Sequence, residues 1–422
     1  MYKGKPRQGW GVETVDAWYV FNPVLIPLQA EHVEPTEYAG FIPIDIAITL
    51  TFSRLPLSYT HSLQHIDFSS TGIISPPGLI VHRETTANMN REIKAWTWTH
   101  GGFPKALQKI VLPADKEPLK PLELRVRVKA ASINPVDAQL MGFPLLPYIP
   151  NFVLPTHKGL AEDFSGVVEE AGKDSGFKAG DEVFGIVYFV PGGTLQEGIK
   201  IDVKTSVVLP KPADWSWEQA GALPLVWLTA QTMIHLVDSY VKNKKVVVLG
   251  GSSGTGMYAV WIAKQRGWDV VATCSSRNSE FVKSMGAIDT IDYTTVNVRE
   301  AVKKFAPDAI IDCVGGTDCI GIASRYVTVV GDKTSRSMMS GRNIYFWNPQ
   351  MVFRALLGRA GLGRSYTCVN MEFKYPYLKE IFNLPKDKII IDSTFSFDQV
   401  KEAFDRLNTG RTRGKVVVQI DA

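Results

Sequence analysis

The stretch Val246-Val-Val-Leu-Gly-Gly-Ser-Ser-Gly-Thr-Gly256, followed by Met257-Tyr-Ala-Val-Trp-Ile-Ala-Lys-Gln-Arg-Gly267, decides the fold. Four apolar residues, Val246 to Leu249, stand between a lysine-rich run (Lys242, Lys244, Lys245) and glycine, which suits a strand buried on both faces. Ala259, Val260, Ile262 and Ala263 then recur at helical spacing, and Gly267 stands where a left-handed residue would end the helix. Between strand and helix, Gly250, Gly251, Gly254 and Gly256 remove the β-carbons that would hold a pyrophosphate away from backbone N–H groups. Ser252, Ser253 and Thr255 add hydroxyls and the helix N-terminus adds partial positive charge, so the loop reads as a phosphate cradle. Its spacing departs from strict G-x-G-x-x-G, and the weight of the reading therefore comes from what surrounds it.

A second strand, Asp269-Val-Val-Ala-Thr-Cys274, ends about 20 residues after the cradle, where a dinucleotide-binding unit meets the adenosine ribose. The chain there reads Ser275-Ser276-Arg277, with no carboxylate to accept from a ribose 2′-hydroxyl. Serine hydroxyls and a guanidinium suit a 2′-phosphate, so NADPH is the expected cofactor. A hydrogen bond to a charged group contributes about 1.5–3 kcal/mol, enough for Arg277 to favour NADPH over NADH by roughly ten- to a hundredfold.

The 422 residues, 45% hydrophobic and 21% charged, are material for two or three globular domains. The four cysteines, Cys274, Cys313, Cys319 and Cys368, are dispersed and contain no C-x-x-C pair. That suggests neither a disulfide framework nor a cysteine-rich zinc site and fits a reducing, cytoplasmic setting. A net charge of +4 is too small to argue for nucleic acid or an anionic membrane, and no apolar run is expected to span a bilayer.

Residues 1–88 differ from the rest of the chain. They hold His32, His61, His65 and His82 and eight prolines, and carry a net −3 against +7 for the remainder. The segment is neither Arg-rich nor poor in acids, as a transit peptide would be, and no periodicity persists in it. It is expected to be a poorly ordered or spurious extension, with Met89 opening the functional chain and the histidines scattered rather than metal-binding. From Glu92 the pattern becomes regular. Glu92–Trp98, Leu122–Ala130, Phe164–Glu170 and Val183–Tyr188 alternate as half-buried strands, with turn signals at Gly180-Asp181 and Pro191-Gly192-Gly193. An antiparallel, barrel-like β domain is predicted over roughly residues 90–210. Trp215 to Leu236 reads as one helix, with Ser216 as N-cap and Glu218 and Gln219 in its first turn. Beyond the cradle, strands Thr290–Asp292, Ala309–Val314 and Tyr326–Val330 around a helix Val298–Phe305 predict a doubly wound parallel sheet. A helix Met351–Leu357, helices near Tyr375–Phe382 and Asp398–Leu407, and a last strand Lys415–Ile420 complete the chain, the tail rejoining the first β domain.

The order of pieces resembles a known family. Val128-Lys-Ala-Ala-Ser-Ile-Asn-Pro-Val-Asp137, Asp163-Phe-Ser-Gly-Val-Val168, Gly180-Asp-Glu-Val-Phe-Gly185, Gly193-Thr-Leu-Gln-Glu197, Ala220-Gly-Ala-Leu-Pro224, the cradle and Gly414-Lys-Val-Val-Val418 resemble the medium-chain dehydrogenase/reductase superfamily, most nearly its zinc-free quinone oxidoreductase and enoyl reductase branch. The resemblance covers about residues 90–422. It implies an α/β protein: a GroES-like catalytic domain (89–215 and 366–422) interrupted by a Rossmann domain (216–365), with NADPH, a small-molecule substrate and often a homodimer.

Zinc-dependent members of that superfamily use a cysteine in the segment matching Ile133–Asp137 and a histidine just before the strand matching Phe164–Glu169. This chain has no cysteine in the first and Leu160-Ala161-Glu162-Asp163 at the second, with His157 nearby. The resemblance therefore implies metal-free hydride transfer to a quinone or an electron-poor C=C. It places Asn134 near the nicotinamide ribose, Thr229 near the nicotinamide amide, Tyr293 at the adenosine phosphate, Val314, Gly315 and Gly316 under the adenosine ribose, and Lys415 among the cofactor-binding residues. Many relatives carry a tyrosine two residues after the glycine matching Gly142. Pro144 stands there, leaving Tyr148 as the nearest phenol for the acid role. The Asn343–Arg364 insertion, rich in aromatic and basic residues, departs from short bacterial forms. Fungal relatives of this branch also include sorting or stress-response proteins, and others act in trans as enoyl reductases of secondary metabolism; these stand as alternatives.

Overall fold

The computed structural model describes residues 92–99, 102–141, 157–187, 193–332 and 349–420, all within the compact unit Ile80–Ala422. The expected extension 1–88 with its four histidines, Tyr148 and Pro144, and part of the Asn343–Arg364 insertion lie outside the described residues.

The N-terminal part is built from β1 (Glu92–Trp98), β2 (Leu107–Pro113), β3 (Glu123–Ile133), α1 (Pro135–Met141), β4 (Lys158–Gly159), β5 (Asp163–Ala171), β6 (Glu182–Ile186), β7 (Gly198–Asp202) and β8 (Val207–Pro210). In β3 the alternation read from the sequence is realised: Leu124, Val126 and Val128 are fully buried, while Arg125 and Arg127 sit on the other face. The buried set packs with Phe164, Val168, Ile199 and Phe404, each such side chain contributing about 1.5–3 kcal/mol on leaving water. β3 pairs antiparallel with β5, β7 and, at its far end, β16 (Lys415–Gln419). That last pairing returns the tail to this domain, together with β15 (Ile391–Ser396) and α9 (Val400–Asn408).

Between β8 and β15 the chain forms α2 (Trp217–Gly221), α3 (Pro224–Asp238), β9 (Lys245–Leu249), α4 (Gly254–Gln265), β10 (Asp269–Cys274), α5 (Ser279–Ser284), β11 (Asp289–Asp292), α6 (Val298–Phe305), β12 (Ala309–Asp312), β13 (Arg325–Thr328), α7 (Pro349–Arg359), β14 (Ser365–Cys368) and α8 (Tyr375–Lys379). All neighbouring strands of this sheet are parallel, in the order β11-β10-β9-β12-β13-β14. The chain winds outward from β9 through β11 and then returns to lay β12 on the other side of β9. The crevice at the carboxyl ends of β9 and β12 is thus the switch point at which such sheets bind ligands.

Three expectations need correction. The single helix Trp215–Leu236 is two, because Pro224 has no N–H to continue α2 and instead opens α3. The capping box of Ser216 with Gln219 does start α2. The expected domain boundary after residue 365 cuts through β14, whose residues pair in register with β13 and so belong to the parallel sheet. Taken together, Trp217–Asp238 is also long and apolar enough to cross a bilayer by length and composition, contrary to the expectation of no such run; 83% of that window is buried within the chain. Its burial is explained by packing: Trp227, Met233 and Ile234 are fully buried, and Trp227 Nε1 donates to the Tyr377 carbonyl at 2.8 Å.

Candidate active site

The glycines of the cradle are required by the loop itself. A β-carbon on Gly256 would lie 2.1 Å from the Gly250 carbonyl oxygen, and one on Gly251 2.7 Å from Ala272 Cβ. Gly250 adopts φ +87 and donates its N–H to Thr273 Oγ1 at 2.8 Å. Ser253 caps α4, its hydroxyl accepting from Gly256 N at 3.1 Å. Ser252, Ser253, Gly254 and Thr255 remain half-buried, so this edge of the helix N-terminus faces the crevice. Opposite it, Asp312 is fully buried at the end of β12 and accepts from Val314 N (2.9 Å), Gly315 N (2.8 Å) and Thr328 Oγ1 (2.7 Å). These bonds fix the turn Val314–Gly316, in which Gly315 and Gly316 have φ +83 and +103 and Val314 stays 44% exposed.

At the adenosine end, Ser275 Oγ is buried with no hydrogen-bond partner, and Arg277 is exposed. Tyr293, 58% exposed, sits in the turn after β11. The expectation that no carboxylate stands here is corrected by Asp292. The parallel register of β10 and β11 sets Asp292 beside Cys274, and its carboxylate accepts from Ser276 N at 3.1 Å and from Ser276 Oγ. The Ser276 hydroxyl, with Thr294 adding further donors, holds the Asp292 pKa down at about 2, so this residue is an anion at any working pH.

The second half of the site lies on the sheet that holds β3, β5 and β16, where that sheet meets α3. Asn134, 1% exposed, follows β3; Asp163, fully buried, opens β5; Lys415, 3% exposed, opens β16. Asp163 Oδ2 accepts from Ser132 Oγ (2.6 Å), Asn134 Nδ2 (3.0 Å) and Lys415 Nζ (3.2 Å), and Lys415 Nζ also donates to Asn134 Oδ1. Asp163 Oδ1 accepts from Leu225 N at 2.6 Å, satisfying a free donor in the first turn of α3. The Lys415 stem lies against the cradle: a β-carbon on Gly254 would be 3.6 Å from its Cδ. Asp137 of α1 accepts from Asn134 N (2.7 Å) and Ala161 N (2.8 Å), and burial pushes its carboxyl up to about 6 against the pull of those donors. Thr229, 3% exposed on α3, donates its hydroxyl to Leu225 O at 2.7 Å.

The sequence-predicted residues thus fall into two groups that the fold brings to one crevice. Gly250 to Gly256, Val314, Gly315 and the Ser275–Arg277 turn line the sheet's switch point; Asn134 and Lys415 meet at the ends of the paired strands β3 and β16, beside Gly254. Tyr148 lies outside the described residues. Sequence reasoning assigned no role to Asp163, Asp137, Ser132, Asp292 or Asp312. A signal was present for Asp163 and Asp312: each is a carboxylate at the edge of a strand with an apolar centre, and a buried charge requires partners.

A nucleotide cradle at the switch point of a parallel sheet, closed by a polar cluster from an interrupted β domain, defines a two-domain oxidoreductase with an NAD(P)-type cofactor. The chain belongs to the medium-chain dehydrogenase/reductase superfamily, in its quinone oxidoreductase-like part. Residues 120–211 match the alcohol dehydrogenase GroES-like domain family and residues 285–418 the zinc-binding dehydrogenase family. The mouse (Mus musculus) mitochondrial NAD(P)H oxidoreductase RTN4IP1 is 32% identical over 370 residues, spanning 80% of this chain and 91% of that protein. An Arabidopsis thaliana chloroplast envelope quinone oxidoreductase homolog is 28% identical over 339 residues, 76% of this chain and 96% of the relative. Among solved structures, the quinone oxidoreductase from Coxiella burnetii is 27% identical and superposes with a TM-score of 0.62 over 78% of this chain and all of that one.

The orphaned Ser275 hydroxyl, the glycine-walled loop and the half-buried N-terminus of α4 fit an NAD(P)-type cofactor. A catalytic zinc does not fit. Where thiolate and imidazole would be needed, Asn134 and Glu162 stand, and the Lys415 ammonium already fills the position of a cation between Asn134 and Asp163. His157 Nδ1 lies 3.5 Å from Thr97 Oγ1 on β1, and among the described residues no three His, Cys, Asp or Glu side chains are grouped to hold a metal ion.

Proposed function

We propose that the chain is a zinc-independent, NADPH-dependent reductase of quinones or α,β-unsaturated carbonyls, working in a reducing, cytoplasmic compartment. The observation that carries this reading is the Asn134–Asp163–Lys415 cluster packed against Gly254, which puts a fixed ammonium and amide, rather than a metal ion, beside the cradle. Bound reduced nicotinamide supplies the hydride. The protein's part is to position and polarise: Asn134, held by Asp163 and Lys415, presents one amide orientation, and Thr229, with its proton committed to Leu225 O, offers an oxygen to accept from the nicotinamide amide. Preference for NADPH rests on Arg277, whose guanidinium has no ion-pair partner among the described residues, and on the free Ser275 hydroxyl. Asp292 works against a 2′-phosphate, so the guanidinium has to outweigh one nearby anion.

Fluorescence titration of the purified chain with NADPH and NADH, repeated with Arg277→Ala, tests the reading. NADPH binding should weaken at least about tenfold in the variant while NADH changes little, the loss of one charge-assisted hydrogen bond. Steady oxidation of NADPH with a quinone or an enone should accompany it in the native chain. Equal binding of the two nucleotides by the native chain would reject the NADPH preference, and absence of turnover with both acceptors would reject the reductase.

A further inference from the structure

Hydride transfer to a quinone or enone leaves an oxyanion that needs a proton, and the phenol that sequence pattern would use is replaced by Pro144. We propose that Glu162 is the proton donor of this site. The inference rests on the reductase reading.

Glu162 directly precedes Asp163 and is 5% exposed. Its backbone is pinned: Val187 N donates to its carbonyl at 3.0 Å, while the preceding Ala161 donates its N–H to Asp137 Oδ1 at 2.8 Å and accepts from Thr194 N at 3.1 Å. Ala161 holds φ +62, a left-handed conformation that disfavours a residue with a β-carbon. The neighbourhood thus sets the direction of the next side chain at the expense of local strain. The Glu162 carboxyl makes no hydrogen bond or ion pair with any described residue, although Asp137, Asp163 and Lys415 surround it electrostatically from α1, β5 and β16. Burial pushes its pKa well above the usual carboxylate range; Asp137 and Asp163 push the same way and Lys415 opposes them. Burial thus favours the protonated carboxyl, whose O–H has no acceptor among the described residues. An acid O–H with no partner among the described residues is free to donate to a substrate oxygen in the crevice.

The balance closes. Hydride arrives at the acceptor carbon with its electron pair, the electron pair of the C=C or quinone shifts onto oxygen, and the Glu162 O–H bond breaks to deliver the proton there. Glu162 is left as carboxylate and takes a proton back from water before the next turnover.

The test compares the native chain with Glu162→Gln and Glu162→Asp. In Glu162→Gln, kcat should fall about 100-fold or more while NADPH affinity stays within about twofold. The high-pH limb of the rate profile should disappear in that variant, and Glu162→Asp should recover part of the rate. Independently of turnover, infrared spectroscopy at pH 7 should show a protonated-carboxyl C=O band that shifts when a saturated cyclic ketone binds and is absent from Glu162→Gln. An unchanged rate and pH profile in Glu162→Gln, or a native chain lacking the ketone-sensitive band, would overturn the assignment. If the native chain turns over neither acceptor, the reductase reading fails, and the infrared band still decides whether Glu162 is a ligand-facing acid.

Discussion

Asp163 places four donors on two oxygens: Ser132, Asn134 and Lys415 on one, Leu225 on the other. A carboxylate with no exposure depends on that set, because an unpaired buried charge costs several kcal/mol. Lys415→Met keeps the stem that packs near Gly254 but removes the counter-charge. It should therefore cost about 3–5 kcal/mol of stability, read as a lower urea midpoint at pH 7. Lys415→Met combined with Asp163→Asn should be less unstable than the sum of the single variants, since the second change removes the stranded anion. If the single lysine variant melts like the native chain, the pair is not what stabilises this end of the β16-β3-β5 sheet.

At the scale of elements, the turn between β9 and α4 leaves no room for side chains. Gly256→Ala would set a β-carbon 2.1 Å from the Gly250 carbonyl oxygen and 2.8 Å from Ser253 Oγ, disturbing both the loop and the α4 cap. We expect a loss of about 1–3 kcal/mol in thermal or urea unfolding and nucleotide affinity reduced at least about tenfold. Gly267→Ala is the comparison. Its φ is +74 but a β-carbon there meets nothing, so it should cost only about 1–2 kcal/mol and leave nucleotide binding intact. Elements with one strong period were legible in the sequence: α6 runs Val298–Phe305 as its spacing predicts, and β9, α4 and β10 surround the cradle as expected. Pro224 was the signal that divides α2 from α3, and it was outweighed by a continuous apolar pattern. The site was legible only by halves. Local chemistry marks the cradle, whereas the meeting of Asn134 with Lys415, and of Ser276 with Asp292, depends on strand register that no local pattern carries. Asp292 shows the cost of reading along the chain alone, since its neighbour in space lies 16 residues away.

Over the whole molecule, the carboxylates buried in the crevice and a set of hydrogen-bonded carboxylates elsewhere shift in opposite directions. Asp137, Glu162 and Asp312 are raised by burial, while Asp115, Glu123, Asp292 and Asp392 are lowered, most of them chiefly by hydrogen bonds. A raised acid binds its proton more tightly when folded, so its contribution is fullest below the unfolded pKa and is lost as pH rises through the folded value, which for Asp137 is about 6. The lowered acids behave oppositely: their contribution is present above the unfolded pKa and disappears as pH falls through the folded one. Stability should therefore peak at about pH 4–5 and decline between about pH 5 and pH 7. Urea midpoints at constant ionic strength check this, and a midpoint that rises steadily from pH 5 to pH 7 would contradict it.

Lys415 stands 281 residues after Asn134, with all the strands of the parallel sheet between them in the chain. At roughly 5–20 residues per second, a ribosome needs on the order of tens of seconds to travel between them. During that interval the nascent chain holds Asn134 and Asp163 without their cation, while the nucleotide-binding sheet already has all its strands. The order of synthesis thus makes the cradle before the cluster that faces it.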